Sequence, residues 1–126
     1  MADYFIQAQK RDSGKCVYCG FDLLESLETF WCTQMDHLIP QRQIAALGNS
    51  LASHDVFRAE GGVSFGSLGN YVTACACCNS AKGKYVPPDW ESMTRDQMIE
   101  AVREHITVKR RQKMEQYLER VRIVRG

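Results

Sequence analysis

The residues best suited to chemistry lie in two short segments of the chain. Asp36 and His37 are adjacent, and Asn79 and Lys82 follow in a second segment, three residues apart. A neutral imidazole can take a proton from water, and carboxylate and amide oxygens suit hard cations such as Mg²⁺ or Mn²⁺. If folding brings the two segments together, the chain has the groups required for metal-assisted phosphodiester hydrolysis.

Each of these residues also has an ordinary structural explanation. An Asp-His pair is common in a turn that carries a surface histidine, and an asparagine such as Asn79 often caps a helix. The other two histidines, His54 and His105, have no neighbours of this kind, and we assign them no role. The residue types alone therefore leave both explanations open.

Six cysteines are present, and four of them form two pairs with the same spacing, Cys16-x-x-Cys19 and Cys75-x-x-Cys78. A two-residue gap lets both thiolates of a pair reach one ion at about 2.3 Å, and two pairs complete a tetrahedron. This pattern predicts a structural Zn²⁺ site with no open coordination position. Buried free thiols are the alternative.

The remaining two cysteines fit other roles. Cys77 competes with Cys78 as a ligand, but with a gap of only one residue from Cys75 it would close a poorer turn. Cys32 stands alone in a strand-like run, where we expect a small core residue. A redox switch based on these thiols is a weaker alternative, because neither has an evident partner.

The elements that must position these residues follow from the pattern along the chain. A short N-terminal helix should span residues 3–13 and stop at Gly14. Residues 29–40 are rich in β-branched and aromatic types, and they predict a strand that leads into Asp36 and His37. We further expect helical turns over 41–47, loop over much of 48–69, a returning strand over 70–73, and a short helix after Cys75 that ends at Gly83.

The C-terminal part of the chain has helical spacing. Pro87-Pro88 marks a joint, and Thr94 with Gln97 has the form of a capping box. Apolar residues at 98, 99, 102 and 106, and again at 114, 117, 118 and 121, predict one long or two shorter amphipathic helices. We therefore divide the chain into a core over residues 1–86 and a basic helical extension of the same domain over residues 87–126.

Charge is distributed unevenly along the 126 residues. Residues 103–126 carry eight Lys or Arg against three Glu, a net charge of +5. The rest of the chain carries eight Lys or Arg against twelve Asp or Glu, a net charge of −4. This is typical of a polyanion-binding element, although a solvated helix face gives the same count. The absence of any apolar stretch of signal-peptide or membrane-spanning length favours a cytoplasmic protein without a membrane partner, where paired cysteines bind metal more often than they form disulfides.

The order of the motifs resembles the HNH endonuclease family in its zinc-bearing ββα-metal form. The motifs, in chain order, are Cys16-x-x-Cys19, Asp36-His37-x-x-Pro40, Gly61-Gly62, Asn70, and Cys75-x-x-Cys78-Asn79-x-x-Lys82-Gly83. The resemblance covers about residues 11–84. It implies an α+β fold with a ββα-metal core and a four-cysteine zinc site, flanked by the N-terminal helix and the C-terminal helices.

The resemblance also implies a role for each matching residue. His37 corresponds to the general base, Asp36 and Asn79 to the protein ligands of a catalytic Mg²⁺ or Mn²⁺, and Asn70 to the residue that braces the loop of the hairpin. Cys16, Cys19, Cys75 and Cys78 correspond to the structural zinc set. The implied activity is hydrolysis of DNA. One such site cuts one strand, so we predict nicking by the monomer, with double-strand breaks only from a homodimer or from repeated nicks. The basic residues expected to contact DNA phosphates are Lys82, Lys84, Lys109, Arg110 and Arg111.

Two features depart from the family pattern. The connection from His37 to Asn70 is long, which indicates an insertion at about residues 41–60. Adjacent side chains of a regular strand point to opposite faces, so Asp36 and His37 can share one site only if the strand is twisted or irregular.

The alternative function, from a different class, is a zinc-stapled module that binds nucleic acid or a partner without cutting.

Overall fold

A computed structural model of the chain describes residues 2–58, 63 and 67–126, with only the backbone for residues 2 and 3. The Gly61-Gly62 pair and the end of the predicted insertion lie outside the described residues. The fold is mixed α+β, as predicted. Its helices are α1 (Ala2–Arg11), α2 (Leu27–Trp31), α3 (Gln41–Leu47), α4 (Ala76–Lys82) and α5 (Arg95–Arg125), and its strands are β1 (Thr33–His37) and β2 (Tyr71–Cys75).

The two strands form an antiparallel pair that leads directly into α4. Thr33 lies opposite Cys75, and His37 lies opposite Tyr71, with one partner for each residue between them. This regular register keeps alternate side chains on alternate faces. The strand pair ends where α4 begins, so that Cys75 is both the last residue of β2 and the N-cap of α4.

The segment before β1 differs from the predicted strand. Residues 27–31 are helical, because Ser26 and Thr29 form a reciprocal capping box in which each side chain bonds the other's backbone N–H. The β-branched and aromatic residues of this segment favoured a strand in the sequence. The local hydrogen bonds of the cap override that preference, and only residues 33–37 are extended.

Helix α5 is a single helix that begins at the predicted cap. Thr94 accepts a hydrogen bond from the backbone of Gln97, whose side chain accepts one in return. Its first three turns bury Met98, Ile99, Val102 and Ile106 in the core, each contributing roughly 1.5–3 kcal/mol to stability. Beyond residue 106 the helix is almost entirely exposed.

The second half of α5 does not pack against the core of the described residues. Met114, Tyr117 and Leu118 continue the apolar spacing that predicted an amphipathic helix, yet they are 53%, 59% and 57% exposed. The helical spacing is confirmed, and the burial stops at Ile106, about four turns before the last predicted apolar position, residue 121.

Candidate functional site

The four cysteines of the two Cys-x-x-Cys pairs converge at one point. The Sγ atoms of Cys16, Cys19, Cys75 and Cys78 all lie within 4.8 Å of one another, and those of Cys19 and Cys75 are 3.9 Å apart. Tetrahedral Zn–S bonds of about 2.3 Å place neighbouring sulfurs about 3.8 Å apart. The cluster therefore has the composition and size to hold one metal ion such as zinc.

Local backbone geometry positions each pair of thiols. In the first pair, the N–H of Gly20 donates to the carbonyl of Cys16 at 2.8 Å, and the positive φ of Gly20, +77°, closes the turn without strain. In the second pair, the Cys75 sulfur accepts a hydrogen bond from the Cys78 N–H. The β2–α4 junction thus presents its two thiols to the first turn.

The thiols perturb one another strongly because they are so close. A hydrogen bond from Cys78 lowers the pKa of Cys16 to about 4, whereas burial raises the pKa of Cys75 to about 11. The Cys16 thiolate raises the pKa of Cys78, which holds the shared proton. Binding of a cation would favour four thiolates and release the remaining protons.

The other two cysteines lie outside this cluster. Both Cys32 and Cys77 are exposed, so the prediction of Cys32 as a core residue is wrong. Strand β1 begins one residue after Cys32, whose carbonyl accepts from the N–H of Ala76. The choice of Cys78 over Cys77 as the fourth ligand is consistent with the geometry, because helix α4 turns Cys77 outward.

Asp36 is held in a buried polar network. Its Oδ1 accepts from the Lys82 ammonium at 3.1 Å, and its Oδ2 accepts from the Tyr18 hydroxyl. Lys82 also donates to the carbonyl of His37 at 3.0 Å. The exposed fractions of Asp36 and Lys82 are 6% and 4%, so this ion pair is shielded from solvent.

His37 and Asn79 contact different neighbours. The ring of His37 lies 4.6 Å from that of its cross-strand partner Tyr71, and burial lowers the pKa of His37, although the charge of Asp36 acts in the opposite direction. The Asn79 amide donates to the Oε1 of Gln34. The three predicted site residues are therefore close in the fold, but each contacts its own partner.

The alternation of β1 explains this division. Gln34 and Asp36 are two residues apart and share one face of the strand, over which α4 places Asn79 and Lys82. His37 is on the other face, where its partner Tyr71 lies 6.2 Å from the ring of Phe5 in α1. The strand stays regular here, so the irregularity that would join Asp36 and His37 is not observed.

Asn70 braces the chain that follows His37. It is fully buried; its Oδ1 accepts from the N–H of Ile39 at 2.7 Å, and its Nδ2 donates to the Ile39 carbonyl at 3.1 Å. Its own carbonyl accepts from the N–H of Leu38. These hydrogen bonds hold the segment after His37 against the residue that precedes β2.

The predicted phosphate-binding residues divide into two groups. Lys84, Lys109, Arg110 and Arg111 are exposed. Lys82 is buried in the ion pair with Asp36, so the structure corrects its assignment as a surface contact to DNA. Arg110 borders cavities that the cluster residues Cys19 and Cys75 also line.

Sequence reasoning missed three residues that organise the site. Tyr18, inside the first cysteine pair, donates to Asp36; Gln34 accepts from Asn79; and Arg103 donates to the carbonyls of Val17 and Tyr18. Strand alternation from Asp36 pointed to Gln34. His54, to which we assigned no role from the sequence, braces a turn: its Nδ1 accepts from the N–H of Val56, and its Nε2 lies 3.0 Å from the Trp90 carbonyl.

Comparison with known proteins gives no neighbour for this fold or site. No protein-family model, no curated protein and no solved structure matches the chain. No helix within the described ranges combines the length and the hydropathy that a bilayer crossing requires.

Proposed function

We infer that the protein is a metal-dependent DNA endonuclease of the HNH type, which nicks one strand. The observation that carries this proposal is the order β1–β2–α4. In this order Asp36 and Asn79 lie on one side of β1, and Asn70 bonds to the loop that follows the strand. His37 is the last residue of β1 and lies on its opposite face, so the proposal requires its ring to turn toward Asp36 at the end of the strand. In addition, the four-thiol cluster joins the end of β2 to the first cysteine turn.

In this proposal, Asp36 and Asn79 supply oxygen ligands for Mg²⁺ or Mn²⁺, as their chemistry favours. The bound cation would stabilise the negative charge that develops on the scissile phosphate. His37 is the general base. Burial lowers the pKa of His37, which keeps its imidazole neutral near pH 7 and able to accept a proton from water.

The ion pair between Asp36 and Lys82 affects the proposed binding of a cation by Asp36. With Lys82 on Oδ1 and Tyr18 on Oδ2, both carboxylate oxygens already have donors. A cation at Asp36 must therefore compete with the ammonium of Lys82. We propose that Lys82 neutralises the carboxylate when no divalent ion is bound and swings away when one is.

The four cysteines are proposed to hold a structural Zn²⁺ ion. All four positions of the tetrahedron come from the protein, which leaves none for a substrate or water. The ion would join the first cysteine turn to the start of α4 and so fix the helix that carries Asn79 and Lys82.

Supercoiled plasmid incubated with the protein and Mn²⁺, Mg²⁺ or EDTA tests the activity. We expect conversion to open circle with either cation and none with EDTA. His37→Ala should reduce the rate about 10²- to 10⁴-fold, the usual contribution of a general base. His105→Ala is the matched control, since His105 stacks on Tyr85 and has no assigned role; equal rates for wild type and His37→Ala would refute the assignment.

A second candidate function is a zinc-stapled module that binds nucleic acid without cutting it. It is favoured by the two donors on Asp36, which satisfy the carboxylate without any cation. Plasmid binding that leaves the DNA supercoiled with every cation would support this module over the nuclease.

A further inference from the structure

Arg110 lies beside the thiol cluster and not simply on an exposed helix face. It borders one cavity with Tyr18 and Cys19, and a second with Cys19, Cys75 and Cys77. The sequence predicted that Arg110 contacts phosphate together with its neighbour Arg111. Arg111 borders only the first of these two cavities, and both side chains are exposed.

Helix α5 is anchored so that Arg110 reaches the cluster. Two turns earlier on the same face, Arg103 donates to the carbonyls of Val17 and Tyr18 at 2.6 and 3.1 Å. These carbonyls lie between Cys16 and Cys19. Seven residues advance the helix by about 10 Å and return it to nearly the same direction, so Arg110 follows Arg103 along the first cysteine turn.

The negative charge of the metal–thiolate cluster favours a cation at the position of Arg110. Four thiolates on one Zn²⁺ carry a net charge of −2, which a nearby guanidinium offsets. Thiolates in other proteins are likewise stabilised by adjacent Arg or Lys.

We propose that Arg110 stabilises the metal–thiolate cluster as a cation outside the ligand set, and that it couples α5 to metal binding. Arg111 has no such role. This inference depends on the metal cluster alone and not on the proposed nuclease activity. The effect of Arg110 on metal binding is therefore expected even if the protein does not cleave DNA.

The test compares Arg110→Gln with Arg111→Gln, which remove the same charge from adjacent positions. Zinc affinity is measured by competition with a chromophoric chelator in the absence of DNA. Substitution of a residue that supports metal ligands typically costs 10- to 100-fold in affinity. We expect a loss of that size for Arg110→Gln and less than about a two-fold change for Arg111→Gln.

Two further measurements distinguish a specific effect from a general one. Arg110→Lys keeps the charge but not the planar fork, and should retain part of the affinity. With Co²⁺ in place of zinc, the thiolate charge-transfer band should shift in Arg110→Gln and not in Arg111→Gln. Wild-type affinity in Arg110→Gln, or an equal loss in both glutamine variants, would overturn the proposal.

Discussion

The ammonium nitrogen of Lys82 lies 3.1 Å from the Oδ1 atom of Asp36, and the two residues are 46 positions apart in the chain. The contact joins α4 to β1 at the point where a catalytic cation is proposed to bind. Removing one partner of a buried ion pair costs more than the pair itself contributes, because the other charge is left without compensation. Substitution of Lys82 can therefore be used to test whether Asp36 binds a cation.

Lys82→Met should destabilise the protein by about 3–5 kcal/mol in urea unfolding without divalent cations. Added Mn²⁺ should restore part of this loss, because a cation bound only by the folded state adds to its stability. Lys84→Met, at an exposed position two residues on, is the control. Failure of Mn²⁺ to stabilise Lys82→Met would show that Asp36 is not a cation ligand.

Cys16→Ser should lower both zinc content and thermal stability. Zinc at 100 times its dissociation constant contributes about 2.7 kcal/mol, which corresponds to a fall in Tm on the order of 10 °C for a chain of this size. Cys32→Ser should change neither quantity, because Cys32 is exposed and outside the cluster. Metal analysis measures the zinc content, and calorimetry measures the Tm. A zinc-free Cys16→Ser protein with the wild-type Tm would contradict the role of zinc in stabilising the fold.

Asp12→Asn should cost about 1–3 kcal/mol at neutral pH, because Asp12 accepts charge-assisted bonds from Arg11 and a bond from the Thr73 N–H. Burial alone would raise the pKa of Asp12, but these hydrogen bonds hold it below its ordinary value of 3.8. Since the folded-state pKa is depressed, the stabilisation is complete above pH 3.8 and is lost as the pH falls through the folded-state value.

The unfolding free energies of wild type and Asp12→Asn should therefore differ by a constant amount from about pH 5 upward, and converge in acid. The exposed residue Asp89 provides the control in Asp89→Asn. A gap that widens as the pH falls would refute the sign of this argument.

Arg111→Gln should weaken DNA binding and reduce the salt dependence of that binding. Each neutralised phosphate contributes about 0.9 to the slope of log affinity against log salt concentration. The exposed Arg42 of α3 offers a charge-matched control in Arg42→Gln. A fluorescence anisotropy titration at several salt concentrations measures both slopes, and identical slopes for both variants would argue against α5 as the contact surface.

Features fixed by short-range contacts were predictable from the sequence. The capping box at Thr94 and the helix stop at Gly83 both depend on neighbours within a few residues. The four-thiol cluster was predictable for another reason. Its chemistry requires two pairs with a fixed gap, and that requirement is visible in the sequence even though 55 residues separate the pairs.

Features that depend on docking were not predictable. The burial of Lys82 requires α4 to lie over one face of β1, and no local pattern distinguishes it from the exposed Lys84. Arg110 and Arg111 likewise differ only in how α5 approaches the first cysteine turn. Helix α2 was missed because its cap uses Thr29 where the usual signal has Glu or Gln.

The length of α5 has a mechanical consequence. Its 31 residues span about 46 Å, and only the first three turns are fastened by buried side chains. The 19 residues after Ile106 extend the helix by about 28 Å, and among them Arg110 still lies beside the first cysteine turn. A force applied to the exposed end of α5 would therefore be transmitted to the first cysteine turn through Arg103, which donates hydrogen bonds to the carbonyls of Val17 and Tyr18.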